Sequence, residues 1–163
     1  MSNEITLRQA IIADLPELKE LFKGTIMHVC EDDYDEAQRK VWASSAEKTE
    51  RWEYLIKDQY VLLAEKEGII VGFGSLLNGD YLDFMYVHKD CQRQGIADNL
   101  LTVLEAEAIR HDTKIITSDI SKTARPFFQK KGYELIAEQE NAREGIILVN
   151  YKMQKRLNKE SEA

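Results

Sequence analysis

Apolar and polar residues alternate through residues 4–10, "EITLRQA", and this period of two predicts a first strand. The period then lengthens. Leu15, Leu18, Leu21 and Phe22 recur at helical spacing within "IADLPELKELFKGTIMHVC", with Asp14 placed as an N-cap and Pro16 near the first turn. "DEAQRKVWASS" and "AEKTERWEYLIKD" continue the helical pattern, with Trp42, Trp52 and Leu55 as core candidates. Residues 60–88 differ in kind. They are rich in β-branched and aromatic residues and are broken by turn signals at "KEG" and "NGD". Three antiparallel strands are predicted, at about 60–66, 69–77 and 80–88. The Asn78-Gly79 pair is a strong hairpin signal.

Helical spacing returns over about 95–110, where Ala97, Leu100, Leu101, Leu104 and Ala108 form an apolar stripe. "TKIITSDI" predicts a short buried strand and "SKTARPFFQKKG" a helix stopped by Gly132. "YELIAEQ" and "GIILVNYKMQ" predict a closing hairpin. The resulting order is β-α-α-β-β-β-α-β-α-β-β. It describes an α+β fold: a mixed, mainly antiparallel central sheet of about seven strands flanked by about four helices. At 163 residues the chain fits a single domain, taken as 1–155. The remaining 156–163 form a polar tail with too little apolar content to order.

Composition narrows the function. A net charge of −7 makes the chain a poor nonspecific nucleic-acid binder and is compatible with a cationic substrate. No apolar run approaches the roughly 20 residues that span a bilayer, and the N-terminus lacks a secretory pattern. No membrane association is expected, and a cytoplasmic location is the default. Cys30 and Cys91 form no C-x-x-C and no zinc-ligand spacing with His28, His88 or His111, so neither a disulfide nor a metal is expected.

The informative stretch lies between the predicted strand at 80–88 and the next helix. Gln92-Arg93-Gln94-Gly95-Ile96-Ala97 joins a glycine, a small alanine and a cation at a helix start. Free amides and the helix dipole favour an anion there, and glycine admits close backbone approach. Taken alone, the stretch is either a solvated turn or a phosphate cradle. It is not a Rossmann or Walker loop, since G-x-G-x-x-G and G-x-x-x-x-G-K-[ST] are both absent.

The stretch has company. "QRQGIA" after Met85-Tyr86-Val87 resembles the Q/R-x-x-G-x-G/A signature of the GNAT superfamily of N-acetyltransferases. Ser121, Ala124, Phe127-Phe128 and "KKGY" at 130–133 resemble that family's second block. The likeness covers roughly 4–153 in element order and 80–134 in motif. It implies the α/β-type GNAT fold and acetyl-CoA as co-substrate. The expected acetyl-CoA contacts are Met85, Tyr86, Val87, Gln92, Arg93, Gln94, Gly95, Ile96, Ala97, Asp98, Ser121, Ala124, Phe127 and Phe128. The implied reaction is direct acetyl transfer to a primary amine of a small molecule or peptide. A backbone N–H near Val87 would polarise the thioester carbonyl.

The resemblance also marks two departures. Many members carry a tyrosine acid where this chain has Phe128, so Tyr86, Tyr133 and Tyr151 are the substitutes to examine. Some carry a glutamate base where this chain has Tyr81. Asp83 lies two residues on, and strict alternation would place Tyr81, Asp83, Met85 and Val87 on one face, making Asp83 a desolvated base. The family's acceptor enters near the first two helices, which implies His28, Tyr34 and Trp42 as substrate contacts. Glu31, Asp32, Asp33 and Asp35 lie in the same stretch and are either a solvated acidic loop or an attractor for a cationic amine. A non-catalytic acetyl-CoA sensor and a longer-chain acyltransferase remain as alternatives. Expected partners are the amine and, as an option, a second copy in a homodimer.

Overall fold

The computed structural model describes residues 4–157. Strand β1 (Ile5–Gln9) leads through a short 3-10 turn to α1 (Leu15–Val29), α2 (Glu36–Ala43) and α3 (Thr49–Asp58). Strands β2 (Gln59–Lys66), β3 (Ile69–Leu77) and β4 (Tyr81–Val87) follow, then α4 (Ile96–Arg110) and β5 (Ile115–Ser121). Helix α5 (Arg125–Lys130), β6 (Glu134–Arg143) and β7 (Ile146–Arg156) complete the order. The expected strands are present. Helices number five among the described residues, one more than expected, because a 3-10 turn at Ser44–Glu47 separates α2 from α3.

The seven strands lie in the order β1-β2-β3-β4-β5-β7-β6. All neighbours are antiparallel except β4 and β5. Two layers of helix cover the sheet. On one face, Leu18, Phe22, Trp52 and Leu55 of α1 and α3 pack on Val61, Leu63, Phe73 and Phe84. On the other, Leu100, Leu101 and Leu104 of α4 and Phe128 of α5 pack on Leu62, Leu82, Ile116 and Met153. At the 78–79 turn both residues have positive φ, 55° at Asn78 and 77° at Gly79, the backbone that a tight hairpin requires.

Three local expectations are corrected. The Asp14 side chain does not cap α1; it accepts from the Ile11 amide at 2.8 Å and from the Arg8 guanidinium at 2.9 Å. The two bonds from the Arg8 guanidinium pair opposite formal charges, which a cap on backbone amides alone does not. Arg156, placed in the expected tail, ends β7, and Leu157 is buried; the rest of that tail, 158–163, lies outside the described residues. The alternation of β4 is also broken. Ser75 pairs with Phe84 and the next residue, Leu76, pairs with Leu82, so Asp83 is an extra, bulged residue. Leu82, Met85 and Val87 therefore face α4, while Phe84 and Tyr86 face α1 and α3. Asp83 joins the second group instead of Met85 and Val87.

Candidate active site

The site is built on a break in the sheet. Strands β4 and β5 pair only at Tyr81↔Thr117 and Leu82↔Ser118, and beyond that point they part. The gap opens into a cleft of about 870 Å³ that reaches both faces. The residues expected to contact acetyl-CoA line it, Gln94 excepted.

One end of the cleft is the N-terminus of α4. Gly95 sits there with φ 81°, and a Cβ built on it meets no atom within 4 Å. Arg93 is also left-handed, with φ 61°. The Ile96 side chain turns inward and is buried, so the loop presents backbone to the cleft while its apolar group anchors it. The Gln92 amide donates to the Val87 carbonyl at 2.8 Å and to the His88 carbonyl at 3.2 Å, which holds the loop against the end of β4. Thr25 of α1 donates to the same Val87 carbonyl at 2.7 Å. The His88 amide bonds back to Val71 of β3 at 2.8 Å. Alternation then turns the Val87 N–H away from β3 and into the gap. Across the gap, the Ser121 hydroxyl accepts from the Ala124 amide at 3.1 Å and shapes the entry to α5.

The other end lies under α1–α3. Tyr34 and Trp42 line it, with rings 5.2 Å apart. Tyr86 packs on Phe22 at 4.8 Å, and burial pushes its phenol up. Asp32 and Asp33 line the cleft. Glu31 and Asp35 do not; Asp35 caps α2 by accepting from the Gln38 amide at 2.8 Å. His28 is exposed and lies outside the lining. Tyr133 and Tyr151 are also outside it. The Tyr133 hydroxyl donates to Glu105 at 2.8 Å, and the Arg125 guanidinium covers the Tyr151 ring. Only Tyr86 of the three substitute acids reaches the cleft, and Phe128 is buried at its wall.

Asp83 lines the cleft with both oxygens engaged. Arg51 of α3 approaches one at 3.2 Å and Gln59 donates to the other at 2.7 Å. Arg51 also lies 4.6 Å above the Phe84 ring. The Tyr81 hydroxyl donates to Asp119 of β5 at 2.5 Å. Burial, and then the Asp119 hydrogen bond, push that phenol up. Arg51, Asp119, Asn141, Arg143 and Asn150 also line the cleft and are residues that sequence reasoning missed. None had a signal in the hydrophobic pattern, since Asp119 is the third of three consecutive polar residues, Thr117-Ser118-Asp119.

Residues 30–155 match the acetyltransferase (GNAT) domain family. The chain belongs to the GNAT family. It is an acetyl-CoA-dependent N-acetyltransferase. An uncharacterised N-acetyltransferase of Escherichia coli (strain K12), YafP, is 28% identical to this GNAT enzyme over 151 residues, covering 93% of this chain and 95% of that one. The crystal structure of a "GCN5-Related N-acetyltransferase: Aminotransferase, Class-II" from Rhodopseudomonas palustris is 32% identical, with a TM-score of 0.91 over 96% of this chain and 99% of that one. The paiA N-acetyltransferase from Thermoplasma acidophilum, in complex with coenzyme A, shares the fold. Its TM-score is 0.77 at 17% identity over 94% of this chain and 99% of that one. The two GNAT motifs of the chain thus flank the two strands that part.

Proposed function

We propose that the enzyme transfers the acetyl group of acetyl-CoA directly to a primary amine of a small molecule or peptide, with no covalent enzyme intermediate. The observation that carries this reading is the open, left-handed Gly95 at the mouth of the β4–β5 gap. The first amides of α4 and the helix dipole favour the pyrophosphate there, and Arg93 adds a cation. Gln92, Ile96, Ala97 and Asp98 complete the cradle, and Gln94 lies in the loop outside the cleft lining. The acyl arm then runs along Val87, Met85 and Tyr86 on one side and Ser121, Ala124, Phe127 and Phe128 on the other. The Val87 N–H, turned into the gap, donates to the thioester carbonyl.

The acceptor lies at the Tyr34–Trp42 end, among aromatic faces and carboxylates that suit an ammonium. Its nitrogen lone pair attacks the carbonyl carbon, a C–N bond forms, the C–S bond breaks, and the thiolate leaves. Holding both substrates in one cleft contributes much of the rate. Free thiols ionise near pH 8.5, so the thiolate leaves without a strict need for a proton, which fits phenylalanine at 128. Tyr81 and Asp83 face the acceptor, where the Asp83 carboxylate, held by Arg51 and Gln59, accepts a hydrogen bond from the amine.

The test has two parts. Thiol release from acetyl-CoA is followed over a panel of primary amines, and acetyl-CoA binding is measured by calorimetry for Gly95→Glu and Gly95→Ala. Both variants carry the strain of a side chain at positive φ, but only glutamate adds charge. Gly95→Glu is expected to lose more than tenfold in affinity beyond Gly95→Ala, about 1.4 kcal/mol or more. Equal affinities in the two folded variants would overturn the cradle. Binding without turnover of any amine would overturn the acceptor.

A further inference from the structure

We infer that the acceptor ammonium passes its proton through Tyr81 to Asp119, so that Asp119, and not Asp83, is the terminal base. This rests on the amine acceptor proposed above and deepens it. Besides Asp32 and Asp33, two carboxylates line the cleft close to Tyr81, and their surroundings differ. Asp83 has a 10% exposed side chain, neutralised by Arg51 and occupied by Gln59. Asp119 is exposed and accepts only from neutral donors, the Tyr81 hydroxyl at 2.5 Å and the Gln139 amide at 2.8 Å. Lys152 stands opposite Asp119 in register on β7, yet no ion pair among the described residues includes Asp119.

Tyr81 sits between. Its hydrogen is committed to Asp119, so the lone pairs of its oxygen are left to accept from an ammonium N–H. Asp119, Asp83 and Arg51 are the charged groups that act on this phenol. Because burial holds the phenol up, Tyr81 relays as a neutral group. The step balances as follows. An ammonium N–H bond breaks as an O–H bond forms on Tyr81. The former Tyr81 proton moves to Asp119 Oδ2, and the nitrogen keeps the electron pair for attack. Asp119, being exposed, then releases the proton to water. Asp83 acts on binding and leaves the proton to this route.

The test uses whole protein and a panel of 2-phenylethylamine, 1,4-diaminobutane, L-lysine amide and a hexapeptide with a free N-terminus. The best acceptor is carried into pH profiles of kcat/KM. Asp119→Asn should lose roughly 100-fold near neutral pH, within the range for an acid–base group. The deficit should shrink as pH rises toward the ammonium's own pKa, because a free amine needs no relay. Tyr81→Phe should show the same shape, Asp119→Glu should recover most of the rate, and Asp83→Asn should show a deficit that does not change with pH. An Asp119→Asn profile parallel to wild type would overturn the relay and leave the amine acceptor standing. So would a pH-dependent deficit in Asp83→Asn alone. Wild-type protein that binds acetyl-CoA yet acetylates none of the panel would overturn the acceptor reading and the relay with it. If Asp119→Asn fails to fold, the Tyr81→Phe profile decides.

Discussion

The Tyr34 hydroxyl joins three segments. It donates to the Val149 carbonyl at 2.5 Å and accepts from the Lys122 amide at 3.0 Å, tying the α1–α2 connection to β7 and to the end of β5. Burial pushes this phenol up to about 12, so it remains a neutral donor across the working range. Tyr34→Phe would leave a half-buried acceptor and a half-buried donor without their partner, a loss of about 2 kcal/mol. A fall of about 4–8 °C in the thermal midpoint is expected for a domain of this size. An unchanged midpoint would mean that water takes over both bonds. At the opposite end of the molecule, Arg8 lies between Asp14 and Glu65 and holds the Asp14 carboxyl below its ordinary value. A depressed folded-state pKa contributes stability above the ordinary carboxylate range and loses it as pH falls through the folded value. Arg8→Met is therefore expected to lower the midpoint more at pH 7 than at about pH 3. Equal losses at the two values would remove the electrostatic account.

At the scale of elements, the position of α4 depends on two glycines facing it from β3. A Cβ at Gly72 would stand 2.8 Å from Ile96 Cγ2, and one at Gly74 would stand 2.8 Å from Leu104 Cδ1 and 3.1 Å from the Phe84 carbonyl. The Phe84 carbonyl of β4 cannot step aside, so an added side chain would press on Leu104 and, through it, on α4. Since the same helix carries the Gly95 loop on its first turn, packing and the proposed acetyl-CoA site are coupled. Gly74→Val should cost about 1–3 kcal/mol through overpacking. It should also weaken acetyl-CoA binding, although it touches no part of the loop. Calorimetry on the folded variant checks this, and wild-type affinity would show that the loop holds its place without the helix. The β4 bulge is the other element-level device. One extra residue at Asp83 turns Met85 and Val87 toward α4 and Tyr86 toward α1 and α3.

At the scale of the molecule, the sheet is two halves, β1–β4 and β5–β7–β6, joined between β4 and β5 by two residue pairs. A ligand lying in the gap bridges them. Acetyl-CoA at about 100 times its Kd should stabilise the fold by about 2.7 kcal/mol. In hydrogen exchange the added protection is expected to concentrate in 81–87 and 115–121. Protection confined to 92–98 would mean that the ligand touches the loop alone. Among the described residues, no group of three or more His, Cys, Asp or Glu is placed to hold a metal ion. EDTA is accordingly expected to leave kcat/KM unchanged, and a loss restored by zinc would overturn that.

The sequence by itself determined whatever depends on near neighbours along the chain. Hydrophobic period set the strands and most helices, because a side chain's face follows from its position within a repeat. Asn78-Gly79 determined its turn, and "QRQGIA" with "KKGY" determined the family, because both act through local backbone shape. Tertiary structure decided what depends on residues far apart. Arg51 meets Asp83 across 32 positions and Tyr81 meets Asp119 across 38. No periodicity reports which side chains two distant elements will present to each other. The bulge at Asp83 was hidden for the same reason: a strand's alternation holds only while its partner keeps register, and that register belongs to the pair. Tyr133 and Tyr151 read much like Tyr81 and Tyr86 in the sequence. The packing of α4 and the Arg125 guanidinium kept them from the cleft, and the parting of β4 from β5 brought Tyr81, Asp119 and Gly95 to its edges.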